Sequence, residues 1–155
     1  MVGGFLWQGE FIGTIRLLPM THGLAPCENL LERHAVDTDL RHEGWEVGRL
    51  VLAPQYRSGP EVLKRCLYLT LVHLIESTSV ENLFASCTPV LSRLYRRFGF
   101  SVIVREASQD VNGTYSLIHG TVPSVLRALS SGIVEQEVAE AMLAMRTGTK
   151  ETVPC

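Results

Sequence analysis

Three charged residues lie in segments that are otherwise apolar and have the pattern of strands. Arg16 stands in the run 13–19, and Glu46 and Arg49 interrupt the run 45–53. A charge in so hydrophobic a strand must be paired, exposed at an edge or in use at a site, because burying an unpaired charge is costly. These residue types suit proton transfer and the binding of an acidic group. The alternative is an ion pair that only ties two strands together.

The turn at 53–59 is a candidate anion site. It joins a predicted strand to the N-terminus of a predicted helix, where backbone N–H groups favour a phosphate, and Arg57 stands beside them. The Gly-x-x-x-x-Gly-Lys-Ser/Thr motif of nucleotide-binding loops is not present. An ordinary strand–helix loop with a surface arginine remains an equally simple interpretation.

The elements that position these residues follow from hydrophobic periodicity and turn residues. Strands are predicted at 2–7, 10–18, 45–53, 82–87, 100–105 and 114–119. Helices are predicted at about 27–34, 60–75, 89–98, 122–130 and 133–146, the second with Ser58 as its N-cap candidate. The central strand–helix–strand order requires a parallel pair, whereas the hairpins require antiparallel neighbours.

One domain over residues 1–146 is therefore expected, followed by a flexible tail at 147–155. Its fold class is α/β (mixed α+β), with a mixed sheet of about six strands and helices packed on it. With 155 residues, of which 46% are hydrophobic, the chain suffices for one core. The net charge of -2 gives no reason to expect binding to nucleic acid or a membrane surface.

The remaining composition predicts a cytoplasmic protein without a metal. The start of the chain lacks a basic leader with an apolar run, and no segment is apolar enough to span a bilayer. Four scattered cysteines, at positions 27, 66, 87 and 155, are typical of reduced thiols. The five histidines show no ligand spacing with cysteines or acids, so no metal site is expected.

The order of elements resembles the GNAT-type acyltransferases. The segment Tyr95-Arg-Arg-Phe-Gly99-Phe100 is similar to their later helix, which often carries a tyrosine four residues before Gly-Phe. The resemblance implies that Tyr95 protonates the departing thiolate, although a core aromatic residue would fit the same helix. It also implies a binding strand and loop for a thioester and its pantetheine-phosphate arm. The implied residues are Val51, Leu52, Ala53, Arg57, Ser58 and Gly59.

Two motifs narrow the resemblance to the acyl-homoserine-lactone synthases and the related long-chain N-acyl amino acid synthases. The run 13–21 is similar to their Arg-Leu-Leu-Pro-Thr-Thr strand, and Trp45-Glu-Val-Gly-Arg49 to their Glu-x-x-Arg strand. The resemblance implies that Glu46 is the base for the attacking amine, directly or through water. Arg16 and Arg49 would pair with acids or hold the acceptor's carboxyl or carbonyl. Because residues three apart on a regular strand face opposite sides, Glu46 and Arg49 can share a site only across a bulge.

The function expected from the resemblance is transfer of a long acyl chain from an acyl-carrier-protein or CoA thioester to the amine of an amino acid or related metabolite. The alternatives are acetyl-CoA-dependent N-acetylation and a non-catalytic fragment that binds an acyl group or pantetheine. Gly59-Pro60-Glu61 lacks the second Gly or Ala of the usual pyrophosphate loop, which favours the carrier protein as donor.

The expected partners are an acyl carrier protein and a small amine, with self-association left open. The basic residues Arg93, Arg96 and Arg97 would suit an acidic carrier protein, or would simply face solvent. These families begin with a further strand and helices, and this chain starts at what would be their second strand.

Overall fold

A computed structural model describes residues 1–150, except for the side chains of Thr38 and of residues 148–150. Within that range the chain forms six strands and five α-helices. The strands are β1 Val2–Trp7, β2 Glu10–Pro19, β3 Gly44–Leu52, β4 Asn82–Cys87, β5 Ser101–Asp110 and β6 Gly113–Thr121. The helices are α1 Pro26–Arg33, α2 Glu61–Ser77, α3 Pro89–Arg96, α4 Val122–Leu129 and α5 Gly132–Lys150. The predicted mixed α/β class is confirmed.

The six strands form one sheet in the order β1-β2-β3-β4-β6-β5. Only β3 and β4 pair in parallel, and every other neighbouring pair is antiparallel. This is the arrangement predicted from the central strand–helix–strand unit and the flanking hairpins. The helix α5 continues to Lys150, so the first residues of the predicted tail are helical, and 151–155 lie outside the described residues.

Two hydrophobic clusters cover the two faces of the sheet. On the face that packs against α2, here called the α2 face, the cluster includes Leu17, Leu71 and Val125. On the face that packs against α1, here called the α1 face, the cluster includes Leu31 and Phe84. Successive residues of β4 alternate between these clusters, as side chains on a regular strand must.

A bulge interrupts β3 at Arg49, which is the condition under which Glu46 and Arg49 could share a site. Thr14 on β2 pairs with Val51, but Arg16 pairs with Gly48, so two steps on β2 match three steps on β3. Arg49 lies at this extra residue with a φ of 53°, in the left-handed region. Glu46 and Arg49 are therefore not held on opposite faces by regular alternation.

The strands β3 and β4 separate soon after they meet. Their register runs only from Gly44 and Asn82 to Glu46 and Phe84, although β3 continues to Leu52. The second half of β3 thus has no strand partner on its β4 side. A cleft opens there, bounded by the start of α2 and by α3.

The start of α2 differs from the prediction. Ser58 does not cap the helix, because Gly59 turns the chain with a φ of 90° and Pro60 takes the N-cap position without a side-chain hydrogen bond. The start of α3 is as expected, with the Thr88 hydroxyl accepting a hydrogen bond from the Leu91 N–H. The first N–H groups of α2 therefore have no side-chain cap and face the loop that carries Arg57.

Candidate active site

Glu46 is buried in the sheet, with only 5% of its surface exposed, and both of its carboxylate oxygens have partners. Its Oε1 lies 3.2 Å from Nη2 of Arg16 on the neighbouring strand. Its Oε2 accepts a hydrogen bond of 2.7 Å from the backbone N–H of Cys27, in the first turn of α1. A guanidinium and the positive end of a helix thus stabilise the carboxylate from two directions.

The loop between β2 and α1 brings the helix N-terminus over β3. Thr21 and Gly23 adopt positive φ angles and redirect the chain after β2, and Pro26 then begins α1 at the position that suits proline. The Glu28 carboxylate accepts a hydrogen bond of 3.2 Å from the Gly23 N–H and fixes the loop to the helix. The Cys27 contact with Glu46 was not predicted.

The two arginines of the predicted site differ in how many of their donors are in use. Arg16 pairs with Glu46, while its buried Nε has no hydrogen-bond partner among the described residues. Arg49 is exposed at the bulge and forms no salt bridge within the part of the chain that the structure describes. The Arg49 guanidinium therefore has donors free for an acidic group or a carbonyl of a ligand.

The cleft beside the free edge of β3 has a volume of about 540 Å³. Most of the residues predicted to bind the donor line it, together with Tyr95 and with Arg97, which follows α3. The predicted residues in its wall are Val51, Leu52, Arg57 and Gly59. Ala53 and Ser58 are not part of the wall, and the Ala53 N–H donates to the Ile12 carbonyl of β2.

Leu52 presents a backbone donor to this cleft. Because the Ala53 N–H bonds to β2 and antiparallel partners alternate in direction, the Leu52 N–H and C=O point away from β2. The Leu52 carbonyl accepts a hydrogen bond of 2.7 Å from Nε of Arg57. This contact holds the Arg57 guanidinium at the cleft, opposite Arg97, so the cleft has a positive rim near the uncapped start of α2.

Tyr95 lies on the opposite side of the cleft and remains protonated over the usual pH range. Its ring contacts Phe98 and Phe100 edge to face, with centroids 6.1 and 5.8 Å away. Burial, and then the nearby Cys87, raise the pKa of Tyr95 to about 12. Its hydroxyl makes no hydrogen bond to another described residue, so it can donate to a ligand.

Glu46 and Tyr95 are placed by the same two strands. Glu46 is the last residue of β3 that pairs with β4, and its partner there is Phe84. Tyr95 lines the cleft that opens beyond this pair, beside the second half of β3. Cys87 ends β4, and burial raises the pKa of its thiol to about 11, so this thiol stays protonated.

A larger apolar groove of about 790 Å³ lies elsewhere, between the β1–β2 hairpin and α2. Phe5, Leu6 and Leu69 contribute to its walls. A small buried cluster that includes Ile12 and Leu52 lies between this groove and the cleft. The groove was not predicted, because it depends on how far α2 lies from β1, which hydrophobic periodicity does not show.

This sheet, with its cleft between diverging parallel strands, has the GNAT-like fold of N-acyltransferases. Within that class, the family model of the N-acyl amino acid synthase FeeM matches residues 1–121. The chain belongs to the FeeM family. No curated protein matches it in sequence.

Solved structures support the same fold. The FeeM N-acyl amino acid synthase from uncultured soil microbes is 18% identical, with a TM-score of 0.62 over 80% of this chain and 73% of that one. The CoA-dependent acyl-homoserine lactone synthase MesI is 19% identical, with a TM-score of 0.58 over 82% of this chain and 68% of that one. BjaI, another CoA-dependent acyl-homoserine lactone synthase, was solved with SAM and isopentyl-CoA. It is 13% identical, with a TM-score of 0.60 over 90% of this chain and 62% of that one.

This chain thus spans about three fifths to three quarters of the length of these structures. No helix in residues 1–150 combines the length and the apolar character that crossing a membrane requires. Among the described side chains, no group of three or more His, Cys, Asp or Glu is placed to hold a metal ion.

Proposed function

We propose that this protein is an N-acyltransferase that moves a long-chain acyl group from a thioester to the amine of an amino acid or related metabolite. One observation carries the proposal. The buried, hydrogen-bonded Glu46 is the last residue of β3 that pairs with β4, and the protonated Tyr95 lines the cleft that opens beyond it. A base for the amine and an acid for the leaving thiolate are the two proton-transfer groups that aminolysis of a thioester requires.

The donor binds in the cleft. Its pantetheine arm contains amides that can pair with the free edge of β3, as an added strand would. The Leu52 N–H then donates to an amide carbonyl of the arm, which leaves the thioester further along β3, toward the bulge and Glu46. Arg57 and Arg97 lie where they can hold the phosphate at the end of the arm.

The acceptor approaches Glu46 from the α1 face. Arg49, which is exposed and unpaired among the described residues, and the partly exposed guanidinium of Arg16 bind its carboxyl or carbonyl group. The amine nitrogen attacks the thioester carbon and forms the new C–N bond while Glu46 takes a proton from the nitrogen. The C–S bond then breaks, and the sulfur receives a proton from Tyr95. The products are an amide and a free thiol.

An acyl carrier protein is the donor that we favour over acyl-CoA. Arg93, Arg96 and Arg97 are exposed on and just after α3, and Arg97 lines the cleft, so this basic surface suits the acidic surface of a carrier protein. The acidic Glu61 in the first turn of α2 opposes the additional phosphates of CoA. The melting temperature should therefore rise more with acyl carrier protein than with the same concentration of acetyl-CoA.

The decisive experiment is product formation. The protein is incubated with dodecanoyl- and hexadecanoyl-carrier protein, the matching acyl-CoAs and acetyl-CoA, each with pooled amino acids, and products are identified by mass spectrometry. Long-chain amides would support the proposal, and acetyl amides alone would favour the N-acetyltransferase. Donor binding without any product would instead favour a non-catalytic protein that binds pantetheine or an acyl group.

A further inference from the structure

The space above Gly48 adjoins the candidate base. A Cβ atom built on Gly48 would lie 3.3 Å from Oε1 of Glu46 and 3.7 Å from Nη2 of Arg16. Apart from the neighbours of Gly48 in the chain, these are the described atoms within 4 Å of that point. The position is therefore bounded by the two charged groups and is otherwise open.

This space is accessible from the α1 face. On β4, Phe84 pairs with Glu46 and is fully buried, whereas Ser86, two residues further along the same face, is exposed. Ser86 is exposed at the point where the register between β3 and β4 has ended. Gly48 lies at the equivalent distance beyond Glu46 on β3, so a small molecule can enter between the two strands at this level.

The hydrogen bonds of Glu46 determine which of its oxygens faces the space. Oε2 is occupied by the Cys27 N–H at 2.7 Å, whereas Oε1 lies toward Gly48 and Arg16. The lone pairs of Oε1 that Arg16 does not use can accept a further hydrogen bond. Arg16 also disfavours a protonated amine at this position, because two positive charges would lie close together.

We infer that the attacking amine of the acceptor binds above Gly48, with Oε1 of Glu46 as its proton acceptor and Arg16 beside it. Gly48 is then a specificity-determining residue, because any side chain would occupy the place of the amine. The inference rests on the proposed function, and it adds the position of the acceptor and the reason for a glycine there.

Gly48→Ala tests this position with a small disturbance, because a Cβ 3.3 Å from Oε1 requires the Glu46 carboxylate to shift by a few tenths of an ångström. Gly48 is not in the left-handed region, so alanine fits its backbone. We expect KM for the acceptor amine to rise roughly tenfold or more, since one extra carbon in a fitted site has an effect of that size. KM for the acyl donor and the melting temperature should stay unchanged. Gly3→Ala is the matched control, because its Cβ would lie 3.2 Å from Ile15, far from Glu46.

The outcomes separate the inference from the proposed function. Amide formation with an unchanged acceptor KM in Gly48→Ala would overturn the inference alone. The absence of any product from the wild-type protein would overturn both. Should Gly48→Ala fail to fold, the amide signal of Gly48 in a nitrogen–proton NMR spectrum of the wild type serves instead. The Gly48 signal should shift on addition of the amino acid that serves as acceptor, while the Gly3 signal keeps its position. An unshifted Gly48 signal would contradict the inference.

Discussion

The α1 side and the cleft side of the site are organised in opposite ways. The Glu46 carboxylate is buried and bound by Arg16 and by the Cys27 N–H before any ligand arrives. In the cleft, the edge of β3 has no strand partner and the Tyr95 hydroxyl has no described hydrogen-bond partner. The half that we propose for the amine is therefore preorganised, and the half that we propose for the thioester leaves its donors free for a ligand.

The difference has a physical reason. A buried carboxylate must be bound by donors at all times, because an unpaired charge in a hydrophobic sheet is costly. The thioester arm, in contrast, has its own amide and phosphate groups, which can satisfy free backbone and arginine donors once it binds. We expect changes on the α1 side to lower the rate of transfer and changes in the cleft to alter donor binding.

Glu46→Gln should have the largest effect. The amide side chain has nearly the same shape but cannot take a proton, so kcat should fall by roughly 10²- to 10⁴-fold, the usual contribution of a general base. The rate of amide formation measures the effect, and circular dichroism reports whether the fold is kept. Glu32→Gln is the control, because Glu32 forms an exposed ion pair with Arg41 away from the site. An equal loss in both variants would remove the basis for a special role of Glu46.

Tyr95→Phe should have the next largest effect. Loss of the hydroxyl removes the acid that protonates the leaving thiolate, while the ring contacts with Phe98 and Phe100 remain. We expect kcat to fall by about 10²-fold, at the lower end for acid catalysis, with KM for the donor unchanged. Steady-state kinetics would show this, with Tyr56→Phe as the control, because the Tyr56 hydroxyl bonds to Glu10 and its side chain lines the apolar groove instead of the cleft. Unchanged kcat would make Tyr95 a packing residue only.

The raised pKa of Tyr95 also predicts how stability depends on pH. The folded state favours the protonated phenol, since the pKa is about 12 against 10 in the unfolded chain. The stabilisation is complete below pH 10 and is lost as the pH rises to about 12. It amounts to roughly 2 kcal/mol. Melting temperatures between pH 10 and 12 should therefore fall more steeply for the wild type than for Tyr95→Phe. Parallel curves would contradict the burial of this hydroxyl.

Removing the positive rim of the cleft should have the smallest effect. Arg57→Gln and Arg97→Gln are each expected to raise KM for the donor severalfold with kcat unchanged, because an ion pair at an exposed site contributes about 1 kcal/mol or less. Arg105→Gln, on the exposed edge strand β5, is the charge-matched control. A change in kcat instead of KM would mean that these arginines act on the reacting groups.

Much of the fold could be predicted because strands and helices show their periodicity locally. The bulge at Arg49 could also be anticipated, since Glu46 and Arg49 could share a site only across it. The end of β5 could not be predicted, because residues 106–110 do not alternate between apolar and polar side chains. They pair with β6 only after a shift of register near Glu106, which has a positive φ. The prediction that Ser58 caps α2 was wrong, because the chain turns at Gly59 and the helix begins only after Pro60.

The site could be predicted only where its residues carry a sequence motif. Glu46, Arg16 and Tyr95 lie in such motifs; Arg16 pairs with Glu46, and Tyr95 lines the cleft. The Cys27 N–H carries no signal, since a backbone donor has no residue type and its approach to Glu46 depends on the positive φ of Thr21. The open space above Gly48 is equally a property of the folded chain, because it requires β4 to diverge from β3.

The proposal assigns the amine to the α1 side and the thioester to the cleft. The most direct test of that assignment is a single-turnover experiment with Glu46→Gln, in which bound acyl donor and amide product are measured in the same sample. The account predicts that the donor binds as tightly as to the wild type, while acyl transfer slows by roughly 10²-fold or more. Transfer at the wild-type rate, or loss of donor binding together with transfer, would contradict the assignment of Glu46 to the amine and of the cleft to the thioester.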